Sequence, residues 1–275
     1  MGTSTSSGGG KAGSPFDPEW LDQGDAAGGP APDGEEGVPQ DAPENDVPGL
    51  EPAQDQDIAP DLRFMPARSQ MGKYLSGGGR DALRGAASSM INKGMGGAGR
   101  ASNTMRGVAQ GAGQLGSFLE AVRAGTDPQV VDWIQRVRGQ NLSASDLALE
   151  LIKEVMPDTG SVDDESLRNA AADALAQLYE QDPNVDIFQL DDQQITAVIG
   201  FTIANEVCNR MDLQLGQTYE KLKYSPVEIQ AFRNDIKQWV HGEVQRIMEV
   251  LAAQRIDPQT LAHNVLQTAL EVFAE

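Results

Sequence analysis

The 275-residue chain carries 41 acidic against 21 basic side chains, a net charge of −20, and only 39% hydrophobic and 5% aromatic residues, so part of it must stay outside any core. A single cysteine, Cys208, excludes an internal disulfide and fits a reducing compartment, and two histidines, His241 and His263, leave little material for a zinc site, so neither metal nor cofactor is expected. There is no run of about 18 apolar residues that would span a bilayer, and no apolar core of a secretory signal, so the expectation is a soluble, cytoplasmic protein.

Charge divides the chain. Residues 1–61 hold 14 acids and one base, 62–115 one acid and eight bases, and 116–275 26 acids and 12 bases, for net charges of −13, +7 and −14. The expected organisation is an N-terminal arm over 1–61, a Gly/Arg-rich basic segment over 62–114 and a helical domain over 115–275.

The first ten residues, MGTSTSSGGG, carry no charged side chain. Gly2 is small enough to permit removal of Met1, which leaves a free glycine amine. SPFDPEWLDQ follows, in which Phe16, Trp20 and Leu21 are isolated apolar anchors, either a short docking motif or an unremarkable tail. From Gly24 to Pro60 the composition is Pro, Gly, Ala, Asp and Glu, with too little apolar side chain to offset the entropy of ordering the backbone. That stretch is expected to be disordered and extended by its prolines and like charges, holding the tip away from the body.

The basic segment holds eight Arg and Lys residues, six of them among the 13 glycines between Gly72 and Gly116. Glycine lets backbone amides approach an anion and arginine supplies forked donors, so Arg80, Arg84, Arg100 and Arg106 are candidate anion-binding residues. SGGGRDALRG lacks the Lys-Ser/Thr pair of a P-loop, and GMGGAGRAS follows no recognisable strand. The preferred reading is a small-residue surface that packs closely against helices or a partner; a nucleic-acid- or phosphate-binding adaptor is the alternative. RDALRGAASSMINKG reads as a short helix with Ala82, Leu83, Ala86 and Met90 on one side.

From Gln114 onward the sequence shows helical periodicity with clear punctuation. LGSFLEAVRAG ends at Gly125; Asp127 and Pro128 open the next helix, Gly139 stops it, and Val130, Val131, Trp133, Ile134 and Val137 form its apolar side. Ser143 or Ser145 caps a helix carrying Leu147, Leu151, Ile152 and Val155 on one face, ended by Pro157. DDESLRNAAADALAQLYEQDP follows with acids in its first turn and Pro183 beyond its end. The most apolar helix, QLDDQQITAVIGFTIANEVCNRMD, carries Ile195, Val198, Ile199, Phe201, Ile203 and Val207 around much of its circumference and reads as central. Ser225-Pro226 and Asp257-Pro258 open the last two helices. No strand alternation is present, so the fold class is all-α, a helical bundle in the C-terminal half.

Catalytic chemistry is not expected. Cys208 and His241 are the material for a nucleophile and base, but a small buried cysteine and a helical histidine are common in inert proteins. Asp163, Asp164, Asp191 and Asp192 stand at helix starts, where capping explains them. Met1, Gly2 and Ser6 match the myristoylation pattern M-G-x-x-x-[ST], yet one acyl chain binds membranes only marginally and no basic cluster accompanies the tip, so no membrane partner is expected.

MGTSTSSGGGKAGSPFDPEW, RFMPARSQMGKYLSGGGRDALR, GMGGAGRASNTMRG and the helical C-terminal half together resemble the QatB family of bacterial Qat anti-phage defence systems. The resemblance implies a four-part system containing an ATPase, a QueC-like enzyme that makes the nitrile of 7-deazaguanine, and a TatD-like nuclease. It further implies that the QueC-like enzyme attaches a deazaguanine group to Gly2 once Met1 is removed. Thr3, Ser4, Thr5, Ser6 and Ser7 would be the peptide read in the enzyme's cleft. An amine of this kind needs small neighbours and a long tether, and the α-amino group, with a reference pKa near 8, is partly neutral and nucleophilic at cellular pH.

Overall fold

The computed structural model describes residues 62–156, 160–251 and 256–275, and these are helical with no strand among them. Gly2, Thr3 to Ser7, Phe16, Trp20, Leu21 and the helix stop at Pro157 lie outside the described residues.

Among the described residues eleven α-helices succeed one another: α1 (Met65–Lys73), α2 (Gly79–Ser89), α3 (Ala98–Thr104), α4 (Arg106–Ala124), α5 (Pro128–Arg138), α6 (Ala144–Val155), α7 (Val162–Gln181), α8 (Asp192–Leu215), α9 (Gln217–Leu222), α10 (Pro226–Leu251) and α11 (Pro258–Ala274). The starts follow local capping chemistry. Asp127 accepts from Gln129 N before the Pro128 turn of α5, and Ser143, not Ser145, caps α6 by accepting from Asp146 N. Asp191 and Gln194 form a reciprocal capping box at α8, and Asp257 accepts from Thr260 N at α11.

The basic segment is more structured than its one expected helix. It contributes α1, α2, α3 and the first half of α4, with Phe64, Met71, Leu83, Met90, Ile91, Met105 and Leu115 all buried in the core shared with the later helices. Leu62–Glu275 form one compact unit, and residue 114, where the composition changes, falls within α4. Single π-type turns at Tyr74–Gly78 and Met90–Gly94 end α1 and α2, and the chain reverses through Gly77 (φ 94°) and Gly97 (φ 98°), where a side chain would be strained.

Glycine in α4 serves close approach. A Cβ at Gly113 would sit 2.9 Å from Gln259 Cα of α11, and one at Gly116 would sit 2.5 Å from Ile199 Cδ1 of α8 and 3.0 Å from Pro258 Cβ of α11. The small-residue packing surface read in the sequence is therefore used inside the fold, where α4 meets α8 and α11.

Helix α8 is central. Ile195, Val198, Ile199, Ile203, Val207, Met211 and Leu215 are all buried, and α7, α4, α11 and α10 pack around it. Successive members of that ring also pack on one another, α7 on α4, α4 on α11 and α11 on α10. The ring stays open between α10 and α7.

Candidate functional site

The candidate anion residues are spread over three helices. Arg80 and Arg84 stand one turn apart on α2, Arg100 is on α3 and Arg106 opens α4; all four are exposed. Arg80 is engaged, pairing with Asp235 Oδ1 of α10 at 3.3 Å, and the same carboxylate accepts the Tyr74 hydroxyl proton. Burial and the neighbouring Asp235 carboxylate raise the Tyr74 phenol well above its usual range, so this hydroxyl acts as a donor that ties the π-turn to α10.

Cys208 and His241 face different surroundings. Cys208 lines a cavity of about 230 Å³ with Met71, Tyr219, Ile236 and the doubly hydrogen-bonded Arg233–Asp212 pair, and burial pushes its thiol up to about 12. A protonated thiol is a poor nucleophile. His241 lies on α10, where its Nε2 donates to Asn205 Oδ1 at 2.9 Å, while Asn205 Nδ2 donates to the Ala170 carbonyl. Its Nδ1 is buried and has no hydrogen-bond partner among the described residues. Burial, with Lys237 adding to it, lowers this imidazole from 6.5 to about 4, so it is neutral near pH 7.

His241 lines the opening in the helix ring, a groove of about 500 Å³. Its floor is the face of α8 carrying Ala197, Phe201 and Ala204, at the spacing of one helical side. One wall is α10, with Val244, Gln245, Met248 and Glu249; the other is the end of α7 at Gln181, and Gln193 and Thr196 complete it. Phe201 reads from periodicity as core, yet it is only partly buried and its ring tilts against His241 with centroids 5.9 Å apart. The backbone of α8 approaches Met248 so closely at Gly200 that a Cβ there would sit 3.0 Å from Met248 Cγ.

Acids at helix starts serve as caps and pairs. Asp191 caps α8, and Asp192 meets Arg123 of α4 at 2.6 Å. Glu206 and Arg210 on α8 are 0% and 3% exposed, and Ser166 of α7 donates to Glu206 Oε2 at 2.8 Å. Among the described residues no group of three His, Cys, Asp or Glu side chains is placed to hold a metal ion, and no helix is long and apolar enough to cross a membrane.

A family model described as "Qat anti-phage system associated protein QatB" matches residues 96–273, from the bend before α3 to the last turn of α11. No curated protein and no solved structure matches the chain.

Proposed function

The chain belongs to the QatB family and is thus a component of an anti-phage defence system; on that premise we propose that it is a non-catalytic member whose N-terminal glycine is the acceptor of a modifying enzyme and whose helical body docks partner proteins. The observation that carries the reading is the tip itself: Gly2 directly after Met1, five Ser and Thr residues and three glycines behind it, and no charged side chain before Lys11. A slim, uncharged strand can enter an active-site cleft and leave its amine as the nucleophile. The QueC-like enzyme of the resemblance is the modifier, with Thr3 to Ser7 as the stretch it reads. The system's ATPase and TatD-like nuclease are the further partners, all working in the cytoplasm. The raised thiol of Cys208, away from the groove of His241, supports the non-catalytic role.

A synthetic peptide of residues 2–11 tests this with the purified QueC-like enzyme and its substrates. The free peptide gains the deazaguanine mass, and the same peptide acetylated at Gly2 does not. Equal modification of both, or of neither while the enzyme turns over its small-molecule substrate, overturns the acceptor reading.

The exposed Arg84, Arg100 and Arg106 favour a second reading, an adaptor for nucleic acid or phosphate. It requires binding to DNA that falls steeply with salt and is lost when these arginines are neutralised.

A further inference from the structure

The opening in the helix ring interrupts the closed bundle around α8. Four helices cover α8, and the face between α10 and α7 leaves Ala197 and Phe201 partly exposed, with Ala204, Val244 and Met248 buried beneath and beside them. The vacant sector has the form of a helix seat, with small residues along the floor and a methionine and valine wall.

The charge around it is one-sided. From Asn169 to Asn209, the stretch that supplies the α7 wall and the α8 floor, there are seven acids and no lysine or arginine. Asp192 is paired with Arg123 of α4, but Glu180 and Asp182 flank Gln181 on the exposed rim and Glu249 lines the opposite wall. Of the bases on α10, Arg246 is paired with Glu243, and Lys237, whose charge reaches His241, lines the other cavity beside Cys208. His241 is neutral there and adds no positive charge.

We infer that the open sector between α10 and α7 seats a basic amphipathic helix of a protein partner, its apolar side on Ala197 and Phe201 above the buried Ala204 and Met248 and its Lys or Arg flanks toward Glu180, Asp182 and Glu249. This names a surface for the docking half of the proposed function and rests on that half. Electrostatic complementarity sets orientation and association rate, and the apolar floor supplies burial. An acidic helix is excluded from the same seat by like-charge repulsion.

The test uses the full chain with labelled methyl groups and a synthetic helix of about 14 residues, four turns, bearing leucine on one side and lysine on its flanks. Two control peptides accompany it, one of identical composition scrambled to remove the apolar side and one with glutamate in place of lysine. The expected result is methyl shifts at Ala197, Ala204, Val244 and Met248, with the scrambled peptide binding about tenfold more weakly and the acidic one not at all. Gln245→Lys, on an exposed wall position, and Ala197→Arg each weaken binding by about tenfold through charge repulsion and filling of the groove. Shifts spread over acidic stretches away from the groove, equal for the scrambled peptide and insensitive to both substitutions, overturn the inference in favour of bulk charge attraction.

Co-purification with the other system components reads docking separately. Partners that bind the wild-type chain and are retained by the Ala197→Arg, Gln245→Lys double variant refute the groove assignment while docking stands; partners absent from the wild-type chain refute docking itself.

Discussion

Replacing Gly116 by alanine has a sign that the packing of α4 decides. In an isolated helix the change stabilises by about 1 kcal/mol, because glycine has more backbone freedom to lose. Here the new methyl would lie 2.5 Å from Ile199 Cδ1, 2.9 Å from Ile199 Cγ1 and 3.0 Å from Pro258 Cβ. Carbon atoms rest at about 3.5–4.0 Å, so α4 must move by roughly 1 Å against both a fully buried isoleucine and a proline ring that cannot rotate away. Overpacking of this kind costs about 1–3 kcal/mol, leaving Gly116→Ala destabilised by up to about 2 kcal/mol after the helix gain. Gly242, in the middle of α10, has nothing within 4 Å of its Cβ position, so Gly242→Ala is stabilised by about 0.5–1 kcal/mol. For an ordered region of this size a change of 1 kcal/mol moves Tm by about 2–4 °C. Urea unfolding followed at the helical circular-dichroism band separates the two variants by midpoint at constant slope. Equal stabilisation of both would refute the close approach of α4 to α8 and α11.

Further outcomes follow from single sites. Leu83→Ala in α2, fully buried in the shared core, costs about 2–5 kcal/mol in urea unfolding; a loss under about 1 kcal/mol would mean that the basic segment adds little to the fold. Asp191→Ala removes the α8 capping box and costs about 1 kcal/mol in the same assay, while Asp191→Ser retains most of it. The His241 imidazole stays unprotonated through pH 6 and titrates near 4 by NMR; because the folded value lies below the unfolded one, stability is full above about pH 6.5 and falls as pH drops from there toward 4, and His241→Gln flattens that fall. Cys208 reacts with iodoacetamide at pH 8 far more slowly in the folded chain than in urea, and rapid labelling of the folded chain would contradict its raised thiol.

What the sequence discloses is the chemistry that acts locally. The Asp127-Pro128, Asp191-x-x-Gln194 and Asp257-Pro258 pairs mark helix starts because the capping side chain and the amide it accepts from lie within three residues. Apart from α2, the helices of the basic segment are hidden because Gly72, Gly107, Gly111 and Gly113 lower intrinsic helix propensity, whereas what holds α4 is its contact with α8 and α11, distant in sequence. Phe201 shows the opposite error. It is one of the apolar residues spread around much of α8, and the separation of α7 from α10 leaves it on the groove floor. Glu206 and Arg210 are likewise invisible as buried residues, since Glu206 is covered where Ser166 of α7 reaches it and Arg210 lies beside Ala87, Met90 and Ile91, and beside Leu270 and Phe273 of α11.

The acceptor role of Gly2 is the centre of the account, and fragmentation of the N-terminal peptide tests it most directly. The full chain is expressed with its genomic neighbours, and again with only the QueC-like enzyme removed, and the first tryptic peptide is sequenced by mass. The account predicts a chain without Met1, carrying an added deazaguanine mass on the Gly2 amine only when that enzyme is present. An unmodified Gly2 beside an active enzyme, or a mass placed on Lys11 or elsewhere, would contradict it.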